Sequence, residues 1–272
     1  MKRIGLLGCG AIGTEIALAI DSGKIPAALT HVYDIERSQA DNLVSKLKQK
    51  PEVVTNSHLL SSNSVELIVE AASQDAVRND AVSILQNKKD MMIMSAGALL
   101  DESVFEVIGD ACRDFGKTVY LPSGAIAGLD ALKSVKDELE SVVLVTTKNP
   151  NSLKGAPFFD SSDIDPEKIS EPTILFEGTA KKAISLFPKN VNVSALLSLV
   201  GLGGNNTSVK IVADPNTDKN THEINANGKF GNIRIVIENV PDSTNPKTSR
   251  LATLSAIELL RQICTKEVQI GT

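Results

Sequence analysis

A chain of 272 residues is long enough to bury a sizeable core and to form one large or two modest domains. Its 42% hydrophobic and 22% charged residues are ordinary, and a net charge of −5 offers no basic footprint for nucleic acid. Cys9, Cys112 and Cys264 are too scattered for a disulfide framework or a zinc-ligand set, so no metal is expected. No apolar run nears the ~20 residues of a membrane span. Because the first strand begins at once, no signal peptide is expected. A soluble cytoplasmic protein without membrane contact is expected.

The chain opens with the apolar run Lys2–Leu7, which flows into Gly8-Cys9-Gly10-Ala11-Ile12-Gly13 and then Thr14–Ile20. This reads as strand, glycine turn and helix, with the glycines at the spacing of a dinucleotide-binding fingerprint. Gly8 makes the turn, Gly10 lets the backbone approach a pyrophosphate, and Gly13 lets the helix pack on the strand. The helix start at Ala11 and Ile12 offers N–H groups and a partial positive charge to the phosphates. A second strand, Ala28–Asp34, ends on an acid about 20 residues past Gly13, the interval expected for a ribose-binding carboxylate. An acid there disfavours a 2′-phosphate, although Arg37 is close enough in sequence to counter it.

Further along, a helix over 36–49 stops at Pro51, and short strands follow at 52–55, 65–72, 91–95 and 117–121. Helices fill the gaps up to Gln86 and over 101–115, while 57–64 reads as a polar loop. Apolar runs alternating with helices indicate a doubly wound parallel sheet. Ligands of such sheets bind outside the carboxyl ends of the strands, here at 71–73, 95–98 and 122–125. Small residues such as Ala72, Ser95 and Ala125 leave room there for a nicotinamide ring, or simply fit tight strand-to-helix turns.

The pattern changes near residue 140. Residues 141–147 and 173–178 read as strands around a long polar stretch, 149–172, whose length suits a lid or an interface arm. Helices are expected over 179–187 and 193–202, then strands at 207–213, 221–226 and 231–238. Asn227-Gly228 is the predicted hairpin turn. A helix over 248–264 closes the chain. The predicted organisation is α/β: a Rossmann-type domain over 1–135, and a smaller α+β domain with a mostly antiparallel sheet over 136–245. The terminal helix, 246–264, is expected to pack back on the first domain.

Three places carry candidate chemistry. His222 opens a strand in Asn220-Thr221-His222-Glu223-Ile224, and an imidazole suits general acid–base work near pH 7. His31 and His58 read as structural or surface residues. Asn245, Lys247, Thr248 and Ser249 lie at the predicted start of the last helix, where N–H groups, hydroxyls and a cation would hold a carboxylate; an ordinary helix cap is the bland alternative. Asn190 and Asn192 precede an apolar helix, as caps or as amides offered to a ligand.

Taken together, Leu121–Asp130, Phe187–Val193, Ala213-Asp214-Pro215, Asn220–Ile224, Asn245–Ser249 and Met94–Leu99 resemble the L-aspartate dehydrogenases, in order and over nearly the whole chain. The match is poorest over 149–171. The resemblance implies oxidation of L-aspartate by NAD or NADP to iminoaspartate, which water converts to oxaloacetate and ammonia, or which feeds NAD biosynthesis. It also implies a catalytic His222, cofactor contacts at Ala125 and Asn192, and a homodimer built through the second domain's sheet. Rival readings are a reductase or dehydrogenase of another amino or imino dicarboxylate, a non-catalytic NAD-binding sensor, and an interaction module with an empty glycine turn.

Overall fold

The N-terminal apolar runs become parallel strands. The computed structural model describes residues 1–188, 192–241, 248–266 and 268. They fall into two units, Met1–Pro122 with Thr253–Ile270, and Ser123–Ala252. In the first unit the elements are β1 (Lys2–Leu7), α1 (Ala11–Asp21), β2 (Ala27–Tyr33), α2 (Arg37–Lys46), β3 (Glu52–Val53), β4 (Leu67–Glu70), α3 (Gln74–Gln86), β5 (Asp90–Ile93), α4 (Glu102–Phe115) and β6 (Val119–Tyr120). The sheet order is β3-β2-β1-β4-β5-β6 with every pairing parallel, the doubly wound arrangement whose strand order reverses between β1 and β4.

Local chemistry sets the helix limits. Ser73 Oγ accepts from Ala76 N–H at 3.2 Å to start α3, and Asp101 accepts from Ser103 N–H at 3.1 Å to start α4. Gly116 ends α4 in the left-handed region, at φ +60°. Four residues of α1, Ile16, Ala17, Ala19 and Ile20, are buried in a core with Ile4, Leu6, Val32, Leu67, Val69 and Met92. Ala256 and Leu260 of the last helix belong to that same core. The polar stretch read as a loop at 57–64 winds into a 3₁₀ turn over Ser57–Ser61, capped by Asn56.

The second unit comprises α5 (Leu129–Ser134), β7 (Leu139–Lys148), α6 (Pro150–Leu153), α7 (Pro157–Asp160), β8 (Thr173–Thr179), α8 (Ala180–Leu186), α9 (Asn192–Val200), β9 (Thr207–Ala213), β10 (Asn220–Gly228) and β11 (Gly231–Asn239), then the start of α10 (Arg250–Cys264). Its sheet runs β11-β10-β7-β9-β8. All pairs are antiparallel except β7 with β9. Helices α8 and α9 pack against β8 and β9.

Two local expectations shift. The hairpin between β10 and β11 exists, but its turn is Lys229-Phe230, because Asn227 and Gly228 still pair with Asn232 and Gly231. A Cβ at Gly228 would meet Glu138 O at 2.0 Å, so that glycine serves a close backbone approach. The stretch 149–172 is less irregular than its prolines suggest. Pro150, Pro157 and Pro166 each open a short helical turn, where a missing N–H costs nothing. Asn149 Nδ2 ties the segment to Pro215 O (3.3 Å) and Thr217 O (3.2 Å), and Phe158 stacks on Phe187 with centroids 5.1 Å apart.

Candidate active site

The cofactor turn of the first unit is built from backbone. Gly8 holds φ +99°, and its N–H donates to Tyr33 O at 2.8 Å. A Cβ there would lie 2.6 Å from the carbonyl of Ala71, so Gly8 also permits the end of β4 to lie beside the end of β1. At Gly13 a Cβ would lie 2.1 Å from Gly8 O, which is the helix–strand approach expected of that position. Gly10 differs: a Cβ there meets nothing within 4 Å. Its surroundings are open space, directly at the N-terminus of α1. No side chain caps that helix, and its first turn contains no acid. The leading N–H groups, Ala11, Ile12 and Gly13, lack partners inside the helix. These residues fit a pyrophosphate.

Asp34 has a second duty that the sequence does not advertise. Its Oδ2 accepts from Cys9 N–H at 2.7 Å, and its Oδ1 accepts from Glu36 N–H at 2.9 Å. The carboxylate therefore braces the glycine turn itself. Each oxygen keeps a lone pair for a ribose hydroxyl. Burial and the Asp34 charge push the Cys9 thiol up to about 12, which makes it an inert filler at neutral pH. Arg37 pairs with Asp41 at 3.1 Å.

Ala72 and Ser95 are brought together by a residue that sequence reasoning passed over. Glu70 ends β4 and is 0% exposed. Its Oε1 accepts from Ala72 N–H (2.8 Å) and Ser95 Oγ–H (2.8 Å), and its Oε2 from Ser95 N–H (3.0 Å) and Met94 N–H (3.1 Å). One carboxylate thus clamps the carboxyl-end loops of two neighbouring strands. Burial pushes its pKa up while these donors pull it down. The signal was an acid ending an otherwise apolar buried run, Leu67-Ile68-Val69.

In the second unit the site is made of side chains on one sheet face. Alternation along β10 buries Asn220, His222, Ile224 and Ala226, and alternation along β7 buries Leu144, Thr146 and Lys148. Register sets Thr146 directly across from His222. Thr146 Oγ1 and His222 Nδ1 share a hydrogen bond of 3.1 Å. That contact fixes the ring and leaves Nε2 as its other functional nitrogen. The imidazole is 1% exposed, and burial, with the Lys148 charge second, pushes its pKa down to about 3. It is neutral at pH 7. His31 and His58 lie in the first unit: His31 Nδ1 bonds Thr30 Oγ1 (2.9 Å), and His58 N–H bonds the Asn56 cap (2.9 Å).

The remaining predicted residues are placed as follows. Ala125 is buried, and its carbonyl accepts from Asn239 Nδ2 at 2.9 Å. Asn192 is the half-buried first residue of α9. Ser249 is buried, and its hydroxyl accepts from Asn220 Nδ2 at 3.3 Å, which ties Ser249 to the His222 strand. Thr248 is half-buried beside it. Asn245, Lys247 and Asn190 lie outside the described residues. Among the described residues no cluster could hold a metal ion, and no helix is long and apolar enough to cross a membrane.

Comparison with known proteins agrees with both halves. A family model for the aspartate dehydrogenase C-terminal region matches residues 130–263, and one for the homoserine dehydrogenase NAD-binding domain matches residues 8–122. The chain is 65% identical to an L-aspartate dehydrogenase of Nitrosopumilus maritimus and 46% identical to one of Methanocella arvoryzae, with all of each chain covered. The crystal structure of aspartate dehydrogenase from Thermotoga maritima superposes with a TM-score of 0.77 at 29% identity, covering 99% of both chains. With the glycine turn, the parallel sheet and the buried histidine face in place, the chain belongs to the L-aspartate dehydrogenase family.

Proposed function

We propose that the protein oxidises L-aspartate with a pyridine nucleotide, and that His222 is the catalytic acid–base. Full-length kinship with L-aspartate dehydrogenases carries this reading. A bound pyridine nucleotide would supply the hydride acceptor for the substrate Cα. The chain's own residues do the rest. Gly8, Gly10, Ala11, Ile12 and Gly13 hold the pyrophosphate, Asp34 the ribose hydroxyls, and Ala72, Ser95, Ala125 and Asn192 are the further cofactor contacts. Asp34 favours NAD over NADP by charge repulsion of a 2′-phosphate.

The substrate amino group must lose protons for its nitrogen to drive the hydride out. His222, neutral and hydrogen-bonded through Nδ1 to Thr146 Oγ1, offers Nε2 to orient the substrate amino group rather than to act as a strong base. The same nitrogen then helps water attack the imine, which yields oxaloacetate and ammonia. Asn245, Lys247, Thr248 and Ser249 hold substrate carboxylate. In the cell the reading is a cytoplasmic homodimer whose imine product can enter NAD biosynthesis.

The test is absorbance at the reduced-nicotinamide band at alkaline pH, with L-aspartate and NAD, then NADP. Growth with L-aspartate and none with L-glutamate or L-homoserine is the expected result. A flat trace with both cofactors, alongside measured NAD binding, rejects this reading in favour of another amino or imino acid, or of a sensor.

A further inference from the structure

The polar end of the second sheet holds a buried cation that the acid–base role of His222 does not use. Lys148 is the last residue of β7 and is 3% exposed. It shares a face with Thr146, two residues earlier, and Thr146 stands across from His222. Neighbouring-strand side chains offset by two residues are about 7–8 Å apart at their bases, within reach of a lysine stem. The Lys148 charge is felt at His222. On β10 the next inward side chain from His222 toward Lys148 is Asn220, 1% exposed. Its Nδ2 is engaged by Ser249, but its Oδ1 is buried without a hydrogen-bond partner among the described residues. A buried acceptor is costly to leave unsatisfied, so the site favours a ligand that donates to it. An amine ligand brings three N–H donors.

A buried ammonium, an orphan carbonyl oxygen and a neutral imidazole thus line one strip of sheet. An amino dicarboxylate carries the complementary groups: a carboxylate for the ammonium and an ammonium for the carbonyl. We propose that Lys148 is a substrate-binding residue that engages a carboxylate of the amino dicarboxylate, with Asn220 Oδ1 accepting from its amino group. Burial pushes the Lys148 ammonium down to about 8, so the cation is retained at pH 7. A desolvated cation gives a stronger hydrogen bond to a carboxylate than a solvated one. This inference rests on L-aspartate as substrate.

The experiment compares wild type, Lys148→Met and Lys148→Arg in L-aspartate oxidation, with succinate and butyrate as competing ligands. In Lys148→Met the KM for L-aspartate should rise about 10- to 100-fold, the range for losing a hydrogen bond to a charged group. The KM for NAD should stay put, and kcat should change much less than KM. The advantage of succinate, with two carboxylates, over butyrate, with one, should shrink. Lys148→Arg should recover part of the KM. Unchanged KM and unchanged succinate preference in a folded Lys148→Met variant would overturn the assignment while leaving the aspartate reading intact. If Lys148→Met does not fold, Lys148→Gln is read by the same criteria. If wild type does not oxidise L-aspartate, the activity reading fails, and succinate calorimetry with NAD present decides Lys148 alone. Binding by wild type and not by the variant retains it, and equal or absent binding in both rejects it.

Discussion

The two units build their candidate binding surfaces from opposite materials. In the first, the decisive residues are those without side chains: Gly8 and Gly13 allow backbone to approach backbone, and Gly10 leaves space open. In the second, the decisive residues are long polar side chains, Lys148 and His222, buried on one face of a sheet. A backbone cradle recognises a group common to all dinucleotides. Buried polar side chains can discriminate between ligands, because a ligand that leaves a buried polar group unmatched is penalised.

The sharpest way to break this contrast is His222→Ala. Turnover should fall by about 10²- to 10⁴-fold, the usual worth of a positioned acid–base, while NAD affinity measured by calorimetry is unchanged. A loss of NAD affinity instead would mean that the β7–β10 face, and not only Ala125 and Asn192 of that unit, holds cofactor.

Next come the glycines. Gly13→Ala forces a Cβ into Gly8 O. It should destabilise the fold by about 1–3 kcal/mol, the usual cost of overpacking, seen as a fall in Tm. Gly10→Ala meets no protein atom, so it should leave Tm within the small range of surface changes yet weaken NAD binding about tenfold or more. Equal Tm losses for the two would remove the distinction between a packing glycine and a ligand-approach glycine.

The buried imidazole also predicts a pH effect. His222 titrates at about 3 in the folded chain against about 6.5 unfolded. Its stability contribution is complete above pH 6.5. Below that the unfolded chain takes up the proton and the folded chain does not, so stability falls by about 1.4 kcal/mol per pH unit down toward pH 3. Denaturant midpoints measured between pH 7 and pH 4 should fall less steeply in His222→Gln.

A smaller effect separates two duties of one side chain. Asp34→Asn keeps one acceptor for Cys9 N–H or Glu36 N–H but removes the charge. NADP should gain on NAD by about tenfold in KM ratio, roughly 1.4 kcal/mol, at a stability cost of about 1 kcal/mol. A large drop in Tm would show that bracing the turn outweighs ribose selection at this position.

Much of this was legible in one dimension. The glycine turn is a run of adjacent residues, so its spacing encodes its geometry. The alternation of apolar runs and helices foretold the parallel sheet for the same reason: periodicity is a local property. The hairpin was legible, but its turn was displaced by two residues, because the Gly228 approach to Glu138 is a contact across the sheet. Pro150, Pro157 and Pro166 read as breakers, and the fold uses each as a helix start.

The sequence by itself determined the strand–turn–helix fingerprint, the doubly wound first sheet and the candidacy of His222, each written in neighbouring residues or in a period of two or 3.6. Tertiary structure alone decided which distant residues share a site. Glu70 became the clamp on Ala72 and Ser95 because parallel register sets the ends of β4 and β5 side by side. Thr146 and Lys148 joined His222 because β7 pairs with β10 across a long stretch of chain. Pairing register and burial act between residues far apart in sequence, so they set the charge of the imidazole and of the lysine only once the sheet has formed.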